Sequence, residues 1–170
     1  MKIILQRVSR ASVTVDGEIV GSINKGYLVL LGVGADDDKA KIEKAVDKIQ
    51  KLRIFADGNG KTNLSIADVG GELLVVSQFT LYADCRKGNR PSFTDAAPPA
   101  LAEELYEYFI EYANGKFAKV QHGVFGASMD VELVNSGPFT VILEDFNGNQ
   151  KPHKLERPAV SQNQQARYQF

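Results

Sequence analysis

The chain has 170 residues, 44% hydrophobic and 24% charged, with a formal net charge of −1, which is the composition of an ordinary globular protein and a length best matched to one domain. Cys85 is the only cysteine, which excludes an internal disulfide and a cysteine-rich metal site and fits a reducing compartment. No apolar run approaches the roughly 20 residues needed to cross a bilayer, and the start of the chain turns polar at Gln6-Arg7, too soon for a signal peptide; a cytoplasmic location with no membrane partner is predicted.

Charge is unevenly spread. Residues 146–170 hold Lys151, Lys154, Arg157 and Arg167 against Glu156, so the residues before them are net acidic. An overall basic balance that would announce a nucleic-acid partner is lacking, and any such partner has to be held by a local patch.

Residues 2–8 and 12–15 alternate apolar and polar, predicting two strands about a polar break at Ser9-Arg10. A turn at Asp16-Gly17, a strand over 18–23, a turn at Asn24-Lys25-Gly26 and the apolar run Tyr27–Leu31 complete the pattern of an antiparallel meander. Gly32-Val33-Gly34 resembles the start of a dinucleotide loop, but Asp37 stands where a third glycine belongs and Asp36-Asp37-Asp38 would repel a pyrophosphate. Those aspartates suit a helix N-terminus instead. Ile42, Ala45, Val46, Ile49 and Leu52 follow at helical spacing, with lysines on the opposite face.

Asp57-Gly58-Asn59-Gly60-Lys61 has a superficial likeness to a calcium loop. It lacks a carboxylate at the twelfth position and carries Lys61 at a ligand position, so it reads as a turn. Glu72–Leu81 is the most informative stretch. Its run Leu73-Leu74-Val75-Val76 predicts a strand buried on both faces, and Ser77-Gln78-Phe79-Thr80 at its end stands where a rigid core can hold a site still.

Arg86, Lys87 and Arg90 lie in a glycine- and proline-containing loop over residues 82–93, a local basic patch suited to phosphates. Pro98-Pro99 opens a second helix carrying Leu101, Leu105, Tyr108, Phe109 and Tyr112, closed by Asn114-Gly115. Residues 121–127 read as a glycine-rich connection. Residues 129–134 and 139–144 read as a hairpin about Asn135-Ser136-Gly137-Pro138, where a cis bond is possible. Beyond Asp145 the polar composition predicts a disordered or loosely docked tail over 146–170, after a single domain spanning 1–145.

The chemistry available is narrow. His122 and His153 are the only histidines and neither has a partner at ligand spacing, so no metal and no cofactor are called for. Ser77 and Thr80 are possible nucleophiles, but a hydroxyl without a nearby base is weak. Cys85 beside Arg86 and Lys87 is a further nucleophile without a supporting motif. The shortage of bases suggests that a substrate brings its own reactive group.

Three segments, Ser77-Gln78-Phe79-Thr80-Leu81, Lys87-Gly88-Asn89-Arg90-Pro91-Ser92-Phe93 and Asn135-Ser136-Gly137-Pro138-Phe139-Thr140, together resemble the D-aminoacyl-tRNA deacylase family across residues 1 to about 144. The resemblance implies an α/β (α+β) fold: one compact domain with a mostly antiparallel, barrel-like sheet and two amphipathic helices, working as a homodimer on the 3′-aminoacylated end of tRNA. It implies an active site at Ser77, Gln78, Phe79 and Thr80, continued by Leu81. It makes Gly137-Pro138 a cis filter that enters the partner subunit's pocket and rejects L-amino acids. Phe125 is then expected to hold the α-amino group through its carbonyl, Met129 to line the terminal adenosine pocket, Arg7 to fix the Gly-Pro loop, and Arg86, Lys87 and Arg90 to meet tRNA. The resemblance also implies hydrolysis assisted by the tRNA 2′-OH rather than by a side-chain base. The alternatives are a Thr80- or Ser77-dependent esterase and a non-catalytic RNA- or nucleotide-binding module.

Overall fold

A computed structural model describes residues 1–144 and Phe146. Eight strands and two helices follow the order β1 (Lys2–Val15), β2 (Glu18–Ile23), β3 (Gly26–Gly32), α1 (Lys39–Lys51), β4 (Phe55–Ala56), β5 (Thr62–Leu64), β6 (Glu72–Ser77), α2 (Pro99–Ala113), β7 (Val120–His122) and β8 (Asp130–Glu144). The main sheet runs β2-β1-β3-β6-β7, with β8 on the other side of β1. β6 is parallel to both β3 and β7, and the remaining pairs of this sheet are antiparallel. The sheet curls until β2 approaches β7: a Cβ on Gly21 would stand 2.7 Å from the His122 carbonyl, and Lys119 Nζ donates to the Ser22 carbonyl at 2.9 Å. The result is a nearly closed, barrel-like α+β domain.

The predicted break at Ser9-Arg10 is not the end of a strand. β1 is continuous, and its register against β8 shifts between Val8 and Arg10. Ile3 and Leu5 pack on the helix side of the sheet, whereas Val8, Ala11 and Val13 pack on the opposite side. A one-residue irregularity therefore reverses which alternate residues face each core. The predicted hairpin at 135–138 is overturned on similar grounds. β8 is one strand, and both halves of it pair with β1, from Lys2 opposite Glu144 to Thr14 opposite Asp130. Between them β1 advances only from Gln6 to Val8 while β8 retreats from Thr140 to Asn135, so Ser136-Gly137-Pro138-Phe139 swells out as a bulge.

The meander is also corrected. β2 and β3 do not pair with each other but share one edge of β1, β3 along Lys2–Val8 and β2 along Ala11–Val15. β6 is what its apolar run predicts: Leu73 and Val75 enter the helix-side core, Leu74 and Val76 the opposite one. α1 starts at Asp38, whose side chain accepts from the Lys41 N–H. Asp37 instead turns inward, accepts from the Gly34 N–H at 2.7 Å and pairs with Lys41. The buried stripe of α2 is Leu105, Tyr106, Phe109, Ile110 and Ala113, rotated from the predicted one, and Tyr108 and Tyr112 lie half-buried at its border. Phe146 packs against the helix-side core; the rest of the predicted tail lies outside the described residues.

Candidate active site

β6 delivers Ser77 to the rim of the sheet. The Gln78 N–H still reaches the Leu31 carbonyl at 2.8 Å, so the chain stays on β3 for one residue beyond the strand. It then winds into a 3₁₀ turn over Phe79–Tyr82, closed by the Ala83 N–H on the Thr80 carbonyl at 3.0 Å. Gln78 Nε2 donates to Thr80 Oγ1 across this turn. Phe79 is 56% exposed, and its ring meets Phe93 edge-on with centroids 5.1 Å apart.

Opposite stands the segment that leaves β7. Gly123 N–H donates to Val75 O at 2.9 Å, the last rung between β7 and β6, and the chain then turns through Phe125, Gly126 and Ala127 towards β8. Between the two segments opens a cavity of about 470 Å³, within the ~300–1,000 Å³ usual for small-molecule sites. Val76, Ser77, Gln78 and Phe79 form one wall; Phe125, Gly126, Ala127 and Met129 form the other; Ala96, Ala97 and Pro99 contribute a third side. Its described lining residues include no Asp, Glu, His, Cys, Tyr, Lys or Arg. The cavity can hold an apolar or aromatic group and offer hydroxyl, amide and backbone groups, but it has no titratable base of its own.

The β8 bulge lies elsewhere on the chain. Arg7 Nε donates to the Ser136 carbonyl at 2.9 Å and Nη1 to the Ile54 carbonyl at 2.5 Å, while its guanidinium sits 4.7 Å over the Phe139 ring. Asn135 Oδ1 accepts from the Phe139 N–H at 2.7 Å and its Nδ2 donates to Thr140 Oγ1 at 2.9 Å, bridging the base of the bulge. The Gly137–Pro138 peptide is cis and Gly137 has φ +132°. Both residues face solvent.

The basic loop is closed by a two-way backbone bridge between Asp84 and Ser92. Arg86 forks onto Asp84 at 2.8 and 2.6 Å. This hydrogen-bonded pairing holds the Asp84 carboxyl below the usual carboxylate range and pushes the guanidinium up. Lys87 and Arg90 are exposed. His122 points its Nδ1 at the Gly123 carbonyl at 2.8 Å and does not line the cavity. Among the described residues no group of His, Cys, Asp and Glu gathers as a metal site.

Comparison with known proteins gives one consistent result. The D-Tyr-tRNA(Tyr) deacylase family model matches residues 4–144. The chain belongs to that family. A D-aminoacyl-tRNA deacylase of Desulfatibacillum aliphaticivorans is 58% identical over 144 residues, covering 85% of this chain and 99% of its own. The D-aminoacyl-tRNA deacylase of Thermosipho africanus (strain TCF52B) is 55% identical over 144 residues, 85% of this chain and 97% of its own. A solved structure described as a c-Myc DNA unwinding element binding protein superposes with a TM-score of 0.80 at 43% identity, covering 85% of this chain and 99% of that one. A probable eukaryotic D-amino acid tRNA deacylase has the same fold, with a TM-score of 0.74 at 17% identity over 84% and 97% of the two chains.

Of the residues that resemblance to the deacylase family nominates, Ser77, Gln78, Phe79, Phe125 and Met129 meet around one cavity. Thr80 and Leu81 continue the 3₁₀ turn outside its lining, Thr80 exposed and Leu81 lying against Gly32. Arg7, Gly137 and Pro138 form a separate cluster, and Arg86, Lys87 and Arg90 a third. Two residues escaped sequence reasoning. Asn135 pins the bulge, a role that an Asn before a turn signals only weakly. Tyr106 is buried under the cavity, and within an apolar helical stripe nothing marks its hydroxyl.

Proposed function

We propose that this protein hydrolyses the ester of D-aminoacyl-tRNA, and of glycyl-tRNA mischarged on tRNA, to free tRNA and amino acid. The observation that carries this reading is the cavity at the end of β6: it is sized for a small group, its lining includes Ser77, Gln78, Phe79, Phe125 and Met129, which the resemblance nominates, and none of its described lining residues is acidic or basic. An aminoacyl ester is already activated. Its hydrolysis needs a place to put the developing oxyanion, supplied by backbone N–H groups of the turn that follows Gln78, and a water oriented against the carbonyl. The vicinal 2′-OH of the terminal ribose takes the part that a protein base plays in ordinary esterases. Phe125 receives the α-amino group on its carbonyl, and Met129 borders the adenosine.

Stereochemical choice is assigned to a second copy of the chain. Gly137-Pro138 is exposed and remote from the cavity of its own protomer, and β8 pairs with β1 along one edge only among the described residues. That second edge belongs to a strand 15 residues long that carries the exposed Val134 and Ile142, and it favours association. In such a homodimer the bulge of one protomer caps the cavity of its partner. A backbone wall that clashes with the L-configuration excludes it for every side chain alike, which a side-chain pocket cannot do. Lys87, Arg90 and Arg86 then lie where tRNA phosphates pass. The test is release of D-tyrosine from D-tyrosyl-tRNA beside L-tyrosine from L-tyrosyl-tRNA. Rapid turnover of the D-form alone is expected, and no turnover of the D-form overturns the proposal.

A further inference from the structure

Both walls of the cavity are thin. One is the last residues of β6; the other is a loop that leaves the sheet after a strand of three residues. Beyond the last backbone rung, from Gly123 N–H to Val75 O, one side chain of α2 also bridges them. Tyr106 is 1% exposed, and its hydroxyl lies 3.1 Å from the Val75 carbonyl and 3.2 Å from the Gly123 carbonyl. Val75 is two residues before Ser77; Gly123 is two residues before Phe125. The ring packs at 5.8 Å from the Phe125 ring, so the same side chain supports the loop by packing as well as by hydrogen bond. Gly123 runs close beside Met129: a Cβ there would stand 2.5 Å from Met129 Sδ.

We infer that Tyr106 is a positioning residue, whose hydroxyl sets the span between the Ser77 wall and the Phe125 wall and so the place of the Phe125 carbonyl. This rests on the deacylase reading and extends it to a residue outside the cavity. One hydroxyl proton is shared by two carbonyls, so neither bond is strong alone, yet together they tie β6 to the loop. Burial pushes the phenol up, which keeps the proton on the oxygen as a donor. Val75 O retains the Gly123 N–H when the hydroxyl is removed, whereas Gly123 O is left to the exposed His122 ring. The loop is therefore the wall that moves.

The experiment compares Tyr106→Phe with Phe109→Leu, a change in the same buried stripe of α2 at a side chain that hydrogen-bonds neither wall, each assayed well below its own Tm. Because a misplacement near 1 Å can cost on the order of 100-fold in rate, and this one is smaller, Tyr106→Phe is expected to lower kcat on D-tyrosyl-tRNA about tenfold with KM within about twofold. Phe109→Leu lowers Tm more and leaves kcat near wild type. Combining Tyr106→Phe with Phe125→Leu gives a loss smaller than the product of the separate losses by about threefold or more, the coupling expected of neighbouring residues that pack together. Wild-type kcat in Tyr106→Phe, an equal loss in Phe109→Leu, or fully multiplicative losses with Phe125→Leu would each overturn the inference. Failure of the wild-type protein to release D-tyrosine removes the deacylase reading itself, which the variants alone cannot do.

Discussion

Replacing Gly137 by alanine tests how the β8 bulge is built. Gly137 has φ +132°, and a Cβ there would stand 2.7 Å from Arg7 Nη2 and 3.3 Å from the Phe139 amide nitrogen. The backbone conformation costs a non-glycine residue about 1–3 kcal/mol. Arg7 can retreat only by loosening its bonds to Ser136 O and Ile54 O, and a hydrogen bond from a charged donor contributes about 1.5–3 kcal/mol, taken at the low end because Arg7 is half-exposed. The sum is about 2.5–4.5 kcal/mol, which for a domain of this size lowers Tm by roughly 5–18 °C. Gly17→Ala is the control: Gly17 has φ +83° with nothing within 4 Å of its added Cβ, so it carries the backbone cost without the clash. Calorimetry of Gly137→Ala, Gly17→Ala and Gly137→Ala combined with Arg7→Ala separates the two effects. Gly137→Ala is expected to cost clearly more than Gly17→Ala, and to cost less when Arg7 is already truncated. A Gly137→Ala protein within about 2 °C of wild type, a smaller shift than about 1 kcal/mol would produce, refutes the reasoning.

Lys87→Ala and Arg90→Ala should each weaken tRNA binding and flatten the salt dependence of log K by about 0.7–0.9 for each phosphate no longer neutralised; unchanged slopes in the pair of variants would return the loop to a solvated surface. Arg86→Ala should change the slope less, since its fork is occupied by Asp84, and Asp84→Asn should strengthen binding by releasing it. The Asp84 carboxyl titrates below its ordinary value in the folded protein. Its contribution to loop order is thus complete above the ordinary carboxylate value of the unfolded chain and is lost as pH falls through the lower folded one. Amide shifts at Arg86 and Ser92 followed by NMR should report that transition, and it should vanish in Asp84→Asn.

Much of the fold was legible because burial writes period into sequence. Leu73–Val76 announces a strand covered on both faces, and Ile42, Ala45, Val46 and Ile49 announce α1. Irregularities were harder to read. A polar pair at Ser9-Arg10 and a Gly-Pro step at 137–138 are the same local signal whether a strand ends or bulges; only pairing with the full length of β1 distinguishes them, and pairing is a long-range fact. β7 is three residues long and depends on β6 for its existence, so Gln121-His122-Gly123 reads as loop. The motif at 77–80 marks one wall of the cavity in the sequence, whereas Tyr106 and Asn135 carry no such mark, because a buried hydroxyl and a bridging amide acquire meaning only from the carbonyls and amides that the fold brings beside them.

In the proposed function the pocket supplies no side-chain base and the substrate's 2′-OH takes that place. Single-turnover deacylation of D-tyrosyl-tRNA ending in adenosine, against the same tRNA ending in 2′-deoxyadenosine, tests it most directly. Loss of a group that assists proton transfer costs about 10²–10⁴-fold, so the 2′-deoxy substrate should be slowed at least about 100-fold with wild-type protein, and Thr80→Ala should keep most of the activity on the normal one. Equal rates on the two substrates, with activity abolished in Thr80→Ala, would contradict it.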